Sequence, residues 1–107
     1  MKNYHILLAT IATLFTFLVS HAQNVGIGTS SPNAAAQLEV SAADKGILIP
    51  RVNLTATNSN APVGSWVQGL LVYNLVNAGI APNNVVANQF YYSNGSQWVA
   101  VGSGAVA

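Results

Sequence analysis

The sequence predicts a small all-β domain that follows a short N-terminal signal helix. The chain opens with an apolar run of the length that export signals have, and its second half holds three strand-like runs separated by turn residues. Elsewhere almost no stretch has the apolar spacing of a helix. We therefore predict a small antiparallel β-meander or hairpin module with an irregular, extended N-terminal part, and we expect oligomerisation to complete it.

The first 22 residues are predicted to be a signal peptide. A basic residue precedes an apolar run from Ile6 to Val19, and Ser20 and Ala22 place small side chains where a signal peptidase needs them. Cleavage is expected between Ala22 and Gln23. The alternative is an uncleaved membrane anchor, but the run is shorter than the roughly 20 residues that span a bilayer. The product is therefore expected to be secreted or on the cell surface, with no membrane contact after cleavage.

Residues 23–101 form the predicted β-rich module, and residues 102–107 form a flexible tail without a packing signal. The segment 53–64 is rich in Asn, Thr and Ala and contains a proline. It predicts an irregular connector and the best boundary between an N-terminal and a C-terminal subregion. The chain is too short for these subregions to be separate domains.

Two short strands are predicted in the N-terminal subregion. Leu38 and Val40 alternate with polar residues, and the apolar run 47–49 ends at Pro50, a residue confined to sheet edges and strand ends. Upstream, a Ser-Pro pair before the alanines at 34–36 is typical of one short helical turn.

The clearest strands lie in the C-terminal subregion. The apolar run 70–75 and the aromatic run 90–92 favour strands, and residues 77–84, with a glycine, a proline and paired asparagines, predict the loop between them. Next, Asn94 and Gly95 predict a two-residue hairpin turn, because Asn-Gly tolerates positive φ at both central positions. A third strand-like run follows, so a three-stranded meander is predicted.

Apolar side chains alternate onto both faces of these strands. A domain of this size buries only about 60 to 65% of its unfolded surface, and the chain has no cysteine with which to form a stabilising disulfide. Because no long helix is predicted to cover the second face, we expect another copy of the chain to cover it.

Charge is scarce and excludes several classes of partner. After residue 22 the charged side chains all lie between positions 39 and 51 and sum to zero. Nucleic acid binding needs clustered Lys and Arg, so no nucleic acid partner is predicted. Both histidines, His5 and His21, lie in the signal segment, and the two remaining carboxylates are too few for a metal site, so no metal is predicted.

No catalytic residues are predicted. Nucleophilic catalysis usually needs a base beside the nucleophile, and residues 23–107 contain neither cysteine nor histidine. A serine paired with Lys45 is conceivable, but a lone lysine is ordinarily a surface charge. A glycosidase pair of Glu39 and Asp44 needs a preformed cleft that a chain of this size struggles to build.

The glycines at 26 and 28 raise the possibility of a dinucleotide-binding loop. The segment 25–29 lacks the third glycine, the preceding strand and the βαβ context of such a loop. We therefore predict a turn at 25–29, and no cofactor.

Aromatic side chains leave a second function open. On one sheet face, Tyr91, Tyr92 and Trp98 would form a stacking platform for the sugar rings of a host or surface glycan, and the protein would be a monomeric carbohydrate-binding module. Alternatively the aromatic side chains fill the core or a subunit interface, because aromatic residues dominate both environments.

Five segments follow one another in an order and spacing that a known family shares. They are Asn24 to Pro32, Leu38 to Val40, Asp44 to Val52, Gly69 to Asn74 and Phe90 to Trp98. Together they resemble a module of bacterial surface proteins and phage tail fibres, over nearly the whole chain after residue 22. The resemblance implies a stalk or collar segment of elongated, often trimeric β-structured fibres, similar in style to trimeric adhesins, without catalytic residues. The expected function is a non-enzymatic, exported structural or adhesive module that self-associates as a homotrimer.

Overall fold

The computed structural model describes residues 3–15 and 24–102, and these residues form one helix and six short strands. The chain divides into two compact units, residues 1–46 and 47–107. The elements are α1 (Tyr4–Phe15), β1 (Val25–Ile27), β2 (Leu38–Val40), β3 (Arg51–Val52), β4 (Leu71–Asn74), β5 (Gln89–Ser93) and β6 (Trp98–Ala100). The prediction of a strand-rich protein is confirmed.

Helix α1 lies inside the predicted signal segment. The hydroxyls of Thr10 and Thr13 donate hydrogen bonds to the carbonyls of Ile6 and Ala9, one turn earlier. Among the described residues, no helix has both the length and the apolar character that crossing a membrane requires. The predicted cleavage site, Ala22 and Gln23, lies outside the described residues, as does the tail beyond residue 102.

The first unit contains a two-stranded parallel sheet of β1 and β2, with Val25 opposite Leu38 and Ile27 opposite Val40. The predicted turn over 25–29 is therefore wrong in its first half, which is a strand. The turn itself is made by Gly28, whose φ is 79° and where a Cβ would collide with the carbonyl oxygen of Ser41.

The alanines at 34–36 do not form the predicted helical turn. Instead, Asn33 closes a single tight turn: its carbonyl accepts from the N–H of Ala36 and its side-chain Oδ1 accepts from the N–H of Ala35, both at 2.9 Å. Asparagine side chains stabilise such turns because they bond the backbone two residues ahead. The chain then enters β2 directly.

The second unit contains a four-stranded sheet in the order β3-β4-β5-β6. Strands β4, β5 and β6 pair antiparallel, with Val72 opposite Tyr91 and Tyr92 opposite Val99. The predicted three-stranded meander is confirmed. Strand β3 adds a parallel edge to β4, with Arg51 opposite Tyr73.

The strand predicted at 47–49 is wrong, because the chain joins the sheet only after Pro50. The carbonyl of Pro50 accepts from the N–H of Tyr73 at 3.0 Å, and the carbonyl of Val52 accepts from the N–H of Leu75 at 2.9 Å. The next hydrogen bond towards residue 49 would need an N–H from residue 50, which proline lacks. The parallel pairing with β4 therefore does not extend from β3 back to residues 47–49.

The core of the second unit lies on one face of this sheet. Two irregular segments cover it, residues 53–64 and the connection between β4 and β5, residues 75–88. The buried apolar residues are Leu54, Val72, Val85, Tyr91 and Trp98. Leu54 comes from segment 53–64, so this connector packs in the second unit and does not mark the boundary between units, which falls at 46/47.

Asn74 fastens both covering segments to the central strand. Its side chain is fully buried, its Oδ1 accepts from the N–H of Leu54 at 3.0 Å, and its Nδ2 donates to the carbonyls of Val76 and Val86 at 2.7 and 2.8 Å. Buried polar groups are costly unless paired. The Asn74 carboxamide therefore pairs three backbone groups of the irregular segments that would otherwise be buried without a hydrogen bond.

The connection between β5 and β6 contains Asn94 and Gly95, but its centre is shifted by one residue from the sequence prediction. Because Ser93 pairs with Trp98, the central residues are Gly95 and Ser96. Gly95 has a φ of 99°. Asn94 instead acts through its side-chain Oδ1, which accepts from the N–H groups of Ser96 and Gln97 at 3.0 and 2.9 Å.

Candidate self-association surface

Alternation along β4, β5 and β6 sorts the side chains of the second unit onto two faces. One face carries the core and is covered by the irregular segments. Among the described residues of the second unit, only the segment 47–49 lies beside the opposite face, which is largely exposed and which we call the open face. Its residues, by strand register, are Leu71, Tyr73, Phe90, Tyr92, Val99 and Val101.

The open face is apolar although it is exposed. Leu71, Phe90 and Tyr92 expose 43%, 45% and 38% of their surface. The outer face of an antiparallel sheet is normally polar. A contiguous exposed apolar patch instead marks an interaction site.

An aromatic pair gives the open face a defined shape. The rings of Tyr73 and Phe90 lie on neighbouring strands, with centroids 5.0 Å apart and planes 74° apart. This edge-to-face arrangement is favourable for aromatic rings. Beside the pair lies a groove of about 280 Å³, lined by both rings and by Ile47, Leu48, Ile49 and Arg51.

Arg51 is the one charged side chain in residues 47–107. The β3–β4 register places it on the side of Tyr73, at the edge of the open face. Tyrosine, phenylalanine and arginine are enriched at protein interfaces, whereas Lys, Glu and Asp are depleted. The composition of the open face is therefore that of an interface.

The predicted stacking residues do not share one surface. Tyr92 lies on the open face, whereas Tyr91 and Trp98 are 3% and 1% exposed in the core. The Tyr91 hydroxyl accepts from the N–H of Val86 at 2.9 Å. The Trp98 Nε1 donates to the carbonyl of Ser59 at 2.9 Å. Two of the three rings thus have a packing role in this structure.

The first unit also exposes apolar side chains. Val25, Ile27, Leu38 and Val40 alternate onto one face of the β1–β2 sheet, and all four are exposed. Glu39 lies on the other face, and one of its carboxylate oxygens accepts from the N–H of Asn33 at 3.2 Å. Among the described residues, each unit therefore exposes apolar side chains on one sheet face.

The described residues contain no cluster of side chains typical of a catalytic or metal-binding site. In residues 3–15 and 24–102, no group of three or more His, Cys, Asp or Glu side chains lies close enough together to hold a metal ion. Asp44 and Lys45 are both exposed in the loop after β2. The surface that stands out is the open face.

Sequence reasoning missed two residues that shape this surface. Asn74 was treated as part of an apolar run, although its carboxamide fixes the covering segments on one face and leaves the other open. Arg51 entered the sequence analysis only as the last of the charged residues between positions 39 and 51. Its position directly after Pro50 is a usable signal, because proline ends the β3 ladder and sets which residue enters the sheet first.

Comparison with known proteins agrees with this geometry. A family model described as the phage tail like trimerisation region matches residues 26–107. No curated protein and no solved structure matches the chain significantly. The family match covers residues 26–46 of the first unit and all of the second unit, and it includes every residue of the open face. The chain therefore belongs to the family of phage tail-like trimerisation regions.

Proposed function

We propose that this chain is a structural or adhesive module of an exported, fibre-like surface protein, and that it forms a trimer by burying its open face against two further copies. The observation that carries the proposal is an exposed apolar sheet face in a chain that belongs to a trimerisation family. Three chains related by a threefold axis form a closed assembly, in which each open face meets a neighbour.

The chemistry of the open face supports this arrangement. Completing the burial of one half-exposed Leu, Phe or Tyr side chain contributes roughly 1 kcal/mol, and the face offers several such side chains in each copy. A guanidinium buried without a carboxylate is costly. We therefore expect the aromatic pair at the centre of the interface and Arg51 at its solvated rim.

Cross-linking tests which face meets the neighbouring copies. Because the chain has no cysteine, a single introduced thiol reports on one position. We expect Leu71→Cys, on the open face, to give a covalent species of three chains with a trifunctional maleimide. The control is Ile80→Cys, in the loop between β4 and β5, where the exposed fraction is 86%. Equal cross-linking of the two variants, or none in Leu71→Cys, would contradict the proposal.

Export is supported by the apolar run at the start of the chain and by the small residues at 20 and 22. We expect protein recovered from the secreted or surface fraction of a bacterial host to begin at Gln23. Sequencing its first residues checks this. Recovery only of cytoplasmic protein with the original N-terminus would show that the segment is not an export signal.

A further inference from the structure

A second surface of the second unit has a different chemistry from the open face. It is a broad groove of about 570 Å³ between the edge of β6 and the loop that joins β4 to β5. We call it the amide groove. Its polar lining is Thr57, Asn83, Asn84, Gln89 and Gln97.

Most of the apolar wall of the amide groove lies on the covered side of the sheet. Gln89 is opposite Asn74 in the strand register, and Tyr91 and Trp98 of the core form part of the groove wall. These residues share the face opposite to Tyr73 and Phe90. At the edge strand β6 the groove also reaches Val99 of the open face, so a trimer through the open face leaves accessible the part of the groove on the covered side.

The groove holds unused hydrogen-bonding groups. The side-chain Oδ1 of Asn83 accepts from the Thr57 hydroxyl at 3.3 Å. By contrast, the carboxamides of Asn84, Gln89 and Gln97 make no hydrogen bond within the described part of the chain. Each carboxamide supplies two donors and two acceptor lone pairs at a fixed angle. Three such groups thus converge on one groove with their full capacity available.

The lining of the amide groove favours an uncharged ligand. No side chain of the groove is ionisable at neutral pH, and the nearest charge in the second unit, Arg51, belongs to the opposite face by register. An anionic or cationic ligand would find no counter-charge there. A ligand with many neutral hydroxyls, each both donor and acceptor, matches paired amide donors and acceptors.

We propose that the amide groove binds a neutral oligosaccharide through the carboxamides of Asn84, Gln89 and Gln97. Recognition depends on hydrogen bonds to the hydroxyl edges of the sugar, with the apolar wall excluding water. The buried rings of Tyr91 and Trp98 expose too little surface to stack on a sugar. The site lies within one chain and does not depend on the proposed trimer.

Nuclear magnetic resonance titration of the whole protein tests the proposal. The probes are maltohexaose, cellohexaose and chitohexaose, with a galacturonic acid oligomer and a short lysine-rich peptide as charged probes. We expect at least one neutral probe to shift the side-chain amide signals of Gln89 and Gln97, and the charged probes to leave them unmoved. No shift with any neutral probe at millimolar concentration, or shifts with the charged probes alone, would overturn the proposal.

Variants separate binding from folding. The double variant Gln89→Ala/Gln97→Ala is expected to weaken binding of the responding probe by about tenfold or more. Its circular dichroism spectrum should not change, because neither side chain forms a hydrogen bond with residues 3–15 or 24–102. The matched control Gln68→Ala removes an exposed amide outside the groove and should bind normally. Undiminished binding by the folded double variant would overturn the proposal. Binding should also persist in an assembly-deficient variant that remains folded.

Discussion

Replacement of Phe90 by glutamate is expected to convert the trimer into monomers. Phe90 lies on the open face, 45% exposed and packed edge-to-face against Tyr73. In the trimer, Phe90→Glu would place three carboxylates in the apolar centre of the interface, while Arg51, the one charged side chain of the second unit, lies at the solvated rim. An unpaired buried charge costs several kcal/mol. We expect the assembly to weaken by roughly a thousandfold, as measured by sedimentation velocity at micromolar concentration.

A charge at a different position provides the control. Ile80→Glu introduces the same side chain into the loop between β4 and β5, at a position 86% exposed. We expect this variant to sediment as the unmodified protein does. Circular dichroism should show unchanged strand content in both variants. If Phe90→Glu remained a folded trimer, the open face would not be the interface.

Replacement of Trp98 by alanine is expected to unfold the second unit. The indole is 1% exposed, its Nε1 donates to the carbonyl of Ser59, and its ring lies 5.6 Å from that of Trp66. Truncating a buried tryptophan costs about 3 to 5 kcal/mol. A small domain has about 5 kcal/mol of stability in total, so the loss approaches the whole. Far-ultraviolet circular dichroism and thermal melting would measure it.

The matched control for Trp98→Ala removes an aromatic ring from the other face. Tyr92→Ala takes a side chain from the open face and leaves the core intact. We expect Tyr92→Ala to keep its strand signal at room temperature while its assembly weakens. Equal unfolding of the two variants would mean that the two faces do not differ in role.

Strands β4, β5 and β6 could be predicted from sequence because bulky and β-branched runs flank clear turn residues. Which face is open could not be predicted. The covered face carries Asn74 and Ser93, both fully buried, whereas Leu71 and Phe90 lie on the open face. Hydrophobicity alone would predict that the face with Leu71 and Phe90 is covered and that the face with Asn74 and Ser93 is exposed.

The reason for this reversal is the backbone of the covering segments. Asn74 satisfies three backbone groups of the segments that pack on it, and Ser93 accepts from the N–H of Gly95 at 3.1 Å. Irregular segments need polar side chains beneath them, because their own backbone groups lack strand partners. A prediction from the spacing of apolar residues does not take these backbone hydrogen bonds into account.

The N-terminal pairing was also beyond sequence reasoning. The turn at Gly28 and the strand at 38–40 were visible in the residue pattern. Their combination into a parallel pair depends on the hydrogen bond from the N–H of Ser41 to the carbonyl of Ile27, at 2.8 Å. Short parallel pairs without a helical crossover are uncommon. Local propensity therefore favoured a turn where β1 forms.

Sedimentation equilibrium of the purified protein tests the central claim most directly, because it gives the mass of the assembly without a label or a variant. If the open face is a threefold interface, a single species of three times the chain mass is expected across the micromolar range. A well-folded species of one chain mass over that range would contradict the account.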